Sequence, residues 1–396
     1  MEHFVTIPIK RKEETPKQTD LYDLLFGEVK EVNRSNNYRT ITVIGGETPR
    51  HETINRSIDA FMNLKAVIDR AYSMLSDIDD KFKETGDASH LYKSFQIPKR
   101  SGKMREITAP LDQLKTIQTY ILSSLKDTNT LIPHHSAHAY IKEKSFITNA
   151  TAHKNSKYFV KIDFKDFFPS ITKEALVEVL SNIGFIGYAN RQNPELIRQT
   201  LESLASIVSH NGVLPQGAPT SPILSNLFMT PFDYYLSKVI REMHIKGSTI
   251  TRYADDITIS FNRKIGNRQQ TIDVIEGAVL EALKLSTLDR FMSINKEKTT
   301  YSTNLGKTRV TGLVVNKENN ITIGYKQKQI LKKDIARLVL QAKRGETPNH
   351  IEVTQIMGYW NFLHAVEPDY ANYIITTLEK KLKVTNLTKL IGYTSL

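Results

Sequence analysis

The stretch 249–261 restricts the possible architectures of this chain more than any other. Strand-type residues run over 249–252 and again over 257–261, and only Tyr253-Ala254-Asp255-Asp256 separates them, so the chain must turn back in a tight hairpin. Two adjacent carboxylates at such a tip repel each other, and both lose hydration where they pack against a sheet. The arrangement becomes favourable when a divalent cation sits between them and a third carboxylate, since hard cations take carboxylate oxygens and keep positions open for substrate phosphates. An isolated Asp-Asp pair is more often a solvated face, and Asp79-Asp80, on a long helical pattern, is expected to be one. The second pair has a partner. Asp163 directly follows the apolar run 158–162 and therefore projects from a strand end. Asp163, Asp255 and Asp256 together could hold two metal ions about 3.5–4 Å apart, the spacing that serves in-line phosphoryl displacement.

Around these carboxylates the pattern is an α+β succession with a β-rich centre and helical ends. Residues 1–50 are polar and mixed, with a short amphipathic candidate at 20–26 and a strand-like run at 40–44. The periodicity predicts one helix over 57–84, with Ser57 as N-cap and Gly86 as its stop. A hairpin is expected from 91–97 and 104–108, and helices over 111–126, 173–183, 194–208, 222–243 and 268–291. Three short strands follow at 299–302, 310–315 and 321–323, and the chain from Tyr325 onwards reads as mostly helical.

Composition narrows the chemistry. There is no cysteine among the 396 residues, which excludes a disulfide framework, a cysteine zinc site, an iron–sulfur cluster and a thiol nucleophile. Lys and Arg number 54 against 42 Asp and Glu, a formal charge of +12, and a polyanionic partner is expected. No apolar run approaches the roughly 18 residues of a membrane span. The Met1-Glu2-His3 start lacks the regions of a signal peptide, so a cytoplasmic protein without a membrane partner is expected.

Three segments, in order, resemble the signature segments of reverse transcriptases: the run around Asp163, Leu214-Pro215-Gln216-Gly217-Ala218-Pro219-Thr220-Ser221-Pro222, and Tyr253-Ala254-Asp255-Asp256. The resemblance covers about 91–396. It implies an α+β right-hand polymerase with fingers, a palm of antiparallel sheet plus helices, and a helical thumb, preceded by a mostly helical N-terminal extension. The expected boundaries are 1–88 for the extension, 89–157 for the fingers, 158–312 for the palm (with a finger-like insertion at about 184–212) and 313–396 for the thumb. The implied activity is RNA-directed DNA polymerisation, a nucleotidyl transfer from deoxynucleoside triphosphates. Asp163, Asp255 and Asp256 would be catalytic and, with the Phe164 backbone carbonyl, would bind two Mg²⁺ ions, for which Mn²⁺ could substitute.

The resemblance also implies the nucleotide contacts. Phe168, five positions after Asp163, stands where the family carries a bulky aromatic that excludes a ribose 2′-hydroxyl; a core aromatic beside Phe164 and Phe167 is the other reading. Gln216 and Gly217 would position nucleotide and template. Lys99 and Arg105, in a basic hairpin, would grip the triphosphate, and Lys298 would protonate or steady the departing pyrophosphate.

Asn149-Ala150-Thr151-Ala152-His153 and Val310-Thr311-Gly312 resemble markers of bacterial retron reverse transcriptases, although helix caps or core hydrogen bonds would also explain them. That lineage implies a cognate structured non-coding RNA, priming from an RNA 2′-hydroxyl, a small single-stranded DNA product and a separate effector protein in antiphage defence. Asn149, His153, Val310, Thr311 and Gly312 would then contact RNA. The thumb would add Lys332, Lys333 and Arg337, from a segment (325–344) with seven basic residues and one acid; a solvated face is the alternative. The lone tryptophan, Trp360, is expected to pack the thumb helices. A reverse transcriptase of intron-encoded or abortive-infection type, and a non-catalytic RNA-binding scaffold, are the competing readings.

Overall fold

A computed structural model describes residues 47–98, 104–127, 131–306 and 308–385, together with 6–9, 39–42, 102 and 387; side chains are described from Ser57 onwards, except at 126, 127 and 188. The amphipathic candidate at 20–26 and the end of the strand-like run at 40–44 lie outside the described residues, as does Lys99.

In chain order, β1 (Thr6–Ile9) pairs with β2 (Arg39–Thr42), and helices α1 (Glu47–Ile78) and α2 (Asp80–Thr85) follow. The hairpin β3 (Tyr92–Pro98) and β4 (Met104–Pro110) leads to α3 (Asp112–Asp127) and α4 (Phe146–Ala152). After β5 (Tyr158–Asp163) come α5 (Lys173–Leu180), α6 (Gly184–Asn190), α7 (Pro194–Val208), α8 (Ser221–Phe228) and α9 (Thr230–Glu242). The hairpin β6 (Thr249–Tyr253) and β7 (Asp256–Phe261) precedes α10 (Arg268–Leu285) and β8 (Thr300–Thr303). Then β9 (Thr308–Val310), β10 (Leu313–Val315) and β11 (Ile321–Thr322) lead into α11 (Tyr325–Lys343), α12 (His350–Val366) and α13 (Pro368–Leu382). None of the described helices is long and apolar enough to cross a membrane.

The centre is a four-stranded antiparallel sheet in the order β6-β7-β5-β8. Side chains alternate faces along a strand, and β5 is buried on both. Val160 and Ile162 join the main core with Ile257, Ile259, Phe228, Phe232 and Val279, whereas Phe159 joins a second core with Val310, Leu313 and helices α11–α13. Trp360 packs in that second core, as expected.

The expected 57–84 helix is two helices. The first begins at Glu47, so Ser57 is a buried interior residue and not a cap. Residues 47–56 are almost entirely polar, so no apolar period announces the start. Asp79 leaves the helix at φ −140° and its carboxylate accepts from the Phe82 amide at 2.7 Å, capping α2. It also bonds His90 Nε2 at 2.9 Å, so Asp79 belongs to a cap and not to a solvated face. Gly86, at φ 63°, ends α2 as predicted. The expected 222–243 helix is broken at Met229, because Pro231 lacks an N–H and fits only the first turn of a new helix. The expected strand 310–315 is a hairpin, turning at Thr311 (φ 46°) and Gly312 (φ 91°).

Candidate active site

Tyr253 pairs with Asp256, leaving only Ala254 and Asp255 to turn between β6 and β7. Ala254 has φ 57° at a position where hairpins usually place glycine. Holding an L-residue there costs about 1–2 kcal/mol. Arg252 anchors it, donating from Nη1 to the Ala254 carbonyl at 3.1 Å. That guanidinium is 1% exposed and grips Asp233 with two bonds, at 2.8 and 2.7 Å, and Asn226 Oδ1 at 3.1 Å. Arg252, Asp233 and Asn226 were missed in the sequence; an arginine inside a run of strand-type residues was the available signal, since a buried charge demands partners.

Across the sheet, Asp163 is register partner to Asp256, and the Phe164 amide donates to the Asp255 carbonyl at 3.1 Å. All three aspartates therefore meet at one end of the sheet. Burial first, then the charges of Asp163 and, more weakly, Asp256, pushes the Asp255 carboxyl above its usual range. Two lysines supply counter-charge: Lys298 Nζ donates to Asp163 Oδ1 at 2.7 Å, and Lys161 Nζ lies 3.7 Å from Asp256 Oδ1. The bond to Asp163 raises the Lys298 pKa. No three carboxylate or imidazole groups among the described residues are gathered as a finished metal cage. The donor set nevertheless suits a hard divalent cation, because it offers carboxylate oxygens crowded enough to repel one another.

After β5 the chain turns at Asp166 (φ 44°). The Phe164 and Phe167 rings are core, whereas Phe168 is half-buried, edge-on to Phe167 with centroids 5.3 Å apart. Gln216 and Gly217 lie beside β4: the Thr108 amide donates to the Gln216 carbonyl at 2.9 Å. Gly217 has φ 135°, and a Cβ there would meet Ile107 Cγ2 at 2.8 Å and the Thr108 carbonyl oxygen at 2.9 Å. The glycine thus permits close approach to the β3–β4 hairpin. Arg105 is exposed on β4, opposite Ile97.

Of the RNA contacts expected at the two marker segments, Asn149, His153 and Val310 lie buried, whereas Thr311 is half-buried and Gly312 exposed. His153 is fully buried between Ser260 Oγ (2.6 Å from Nδ1) and Thr251 Oγ1 (2.7 Å from Nε2), and burial pushes its pKa down to about 3. Asn149 is 1% exposed, Val310 is wholly buried, and Asn149 Nδ2 reaches Thr311 Oγ1 at 3.4 Å. Thr311 in turn donates to the Phe146 carbonyl at 2.9 Å. The two segments meet as a junction between α4 and the β9–β10 turn, with Thr151, Ala152 and Gly312 exposed. On α11, Lys333 is exposed, Lys332 lies over the Tyr373 ring at 5.2 Å, and Arg337 is paired with Asp334 and Glu352.

Residues 97–331 match the family model described as reverse transcriptase (RNA-dependent DNA polymerase). The chain belongs to the reverse transcriptase family. It is 32% identical over 306 residues to the Retron Ec83 reverse transcriptase of Escherichia coli, covering 74% of this chain and 87% of that one. It is 30% identical over 295 residues to the Retron Mx162 reverse transcriptase of Myxococcus xanthus, covering 72% of this chain and 60% of that longer one. A telomerase structure from Candida albicans, in complex with a TWJ fragment of telomeric RNA, aligns over 77% of this chain and 66% of that one at 11% identity and a TM-score of 0.43. The expectation of a bacterial retron reverse transcriptase, an RNA-directed DNA polymerase by family, is borne out. So is an α+β fold with an antiparallel central sheet.

Proposed function

We propose that this reverse transcriptase copies a cognate structured non-coding RNA into a small single-stranded DNA, primed from an RNA 2′-hydroxyl. The convergence of Asp163, Asp255 and Asp256 at one sheet end carries the catalytic part of the reading. The similarity to retron reverse transcriptases carries the lineage. An effector protein, antiphage defence and a cytoplasmic location follow from that lineage within the same proposal.

In this reading the three aspartates, with the Phe164 carbonyl, hold two Mg²⁺ ions, or Mn²⁺ in their place. Such ions, when bound, lower the pKa of an attacking hydroxyl and neutralise charge on the leaving pyrophosphate. Arg105 and Lys99 bind the triphosphate, and the half-buried Phe168 ring excludes a 2′-hydroxyl. Gln216 and Gly217 seat the template against the β3–β4 hairpin. Lys298, whose charge the bond to Asp163 favours, would protonate or steady the departing pyrophosphate.

Expression with native flanking DNA, RNase treatment and a denaturing gel test the reading. The expected result is a discrete short DNA tied to an RNA stub, lost in Asp255→Asn while RNA still copurifies. DNA synthesis that survives in Asp255→Asn overturns the catalytic assignment. RNA copurifying with a wild-type chain that makes no DNA favours the scaffold.

A further inference from the structure

The segment before α4 adds itself to the outer edge of β6, next to the metal hairpin. Ala137 bridges Arg252 in parallel, the Arg252 amide donates to the Ser136 carbonyl and the His138 amide to the Arg252 carbonyl, both at 2.8 Å. Asn226 Nδ2 then donates to the Ala139 carbonyl at 2.7 Å, while its Oδ1 accepts from Arg252. One buried Arg–Asn pair therefore fixes two left-handed positions: Ala254 in the metal hairpin and, just past Ala139, Tyr140 at φ 62°. A glycine would adopt that conformation without strain. The Tyr140 side chain is 47% exposed although the backbone beneath it is held on both sides. The parallel bridge of Ala137 to Arg252 runs the two segments side by side, so that Tyr140, one residue past the anchored Ala139, follows the course of β6 toward the Ala254–Asp255 turn. Burial first, then the charge of Asp255, raises the pKa of the Tyr140 hydroxyl.

We propose that Tyr140 is a nucleotide-contacting residue, its exposed ring held beside the β6–β7 hairpin so that it packs on the incoming deoxynucleotide. This deepens the polymerase reading and rests on it. The ring supplies a flat, sequence-tolerant surface, and the anchored backbone keeps it in place before substrate arrives. No role of this kind is needed for the fold, because the contacts that fix the segment are made by the backbone of residues 136–139 and not by the Tyr140 ring.

Single-nucleotide incorporation on an RNA template with a DNA primer tests this, using wild type, Tyr140→Gly and Tyr140→Phe, alongside thermal unfolding. Glycine suits the positive φ, so Tyr140→Gly should melt at or above the wild-type temperature. Without the aromatic surface under the base, its KM for deoxynucleoside triphosphate should rise by about tenfold, with a smaller change in kcat. Tyr140→Phe keeps the ring and should stay within about twofold of wild type. An unchanged nucleotide KM in Tyr140→Gly overturns the assignment, and so does a defect confined to primer–template affinity. A wild-type chain that makes no DNA removes the polymerase reading itself, and this inference with it.

Discussion

Three phenylalanines crowd the turn after β5, and their burial sorts them: Phe164 and Phe167 fill the core, while Phe168 keeps part of its ring accessible. Phe168→Ala should therefore admit ribonucleotides, lowering the discrimination between deoxy- and ribonucleoside triphosphates by at least about tenfold, read as a ratio of kcat/KM values. A fall in melting temperature with an unchanged ratio would assign the ring to the core. The crowded aspartates make a second prediction. At neutral pH their mutual repulsion destabilises the metal-free fold, so Asp255→Asn should raise the metal-free melting temperature by about 2 °C. Added Mg²⁺ should raise that of wild type and leave the variant nearly unmoved, as binding to the native state alone requires. A carboxyl with a raised folded pKa favours folding at acid pH and loses that contribution as pH rises through the raised value, so the gap between variant and wild type should close as pH falls below the Asp255 range. These carboxylates were legible because a hairpin that short leaves its two aspartates nowhere to separate. Arg252 and Asn226 were not, since their partners lie far off in the chain and only folding brings them together.

Elements were legible where apolar spacing is continuous and chain breakers are few: α7, β5 and the β6–β7 hairpin fall where expected. Elsewhere the error has a local cause. A polar stretch over 47–56 hid the start of α1, Pro231 split α8 from α9, and paired positive-φ residues turned an apparent strand into the β9–β10 hairpin. The burial of Asn149 and His153 was equally hidden, since sequence cannot distinguish a polar residue facing solvent from one facing another element. The Arg252–Asp233 pair sets the expectation at this scale. Both side chains are 1% exposed, so removing one leaves a buried charge unpaired, and Arg252→Met should cost about 3–5 kcal/mol in denaturant unfolding. Replacing both with apolar residues should cost less than the arginine change alone, because no lone charge is then stranded.

Over the whole molecule, α1 is not a free-standing extension. Phe61, Leu64, Ile68 and Leu75 enter the main core that also holds the palm strands, which favours bracing over docking as the task of its described part. Helices α11–α13 share a second core, which meets the first through β5. The basic helix α11 is less available to RNA than its composition promised: Lys328 is paired with Glu367, and Arg337 with Asp334 and Glu352. Neutralising Lys326 and Lys333, which carry no ion pair among the described residues, should flatten the salt dependence of RNA binding, by about 0.7 in log–log slope for each phosphate left without its cation. Neutralising Arg337 should leave that slope nearly unchanged. Equal effects from both would return the helix to a uniform basic face.

The bond from the Thr108 amide to the Gln216 carbonyl, with Gly217 pressed on Ile107, has a mechanical result. The flap bearing Arg105 cannot swing without dragging the proline-rich loop along. If Arg105 clamps the triphosphate and Gln216 the template, as proposed, both grips become one stroke of a single lever, and a nucleotide that fails to draw the hairpin down leaves the template unclasped as well.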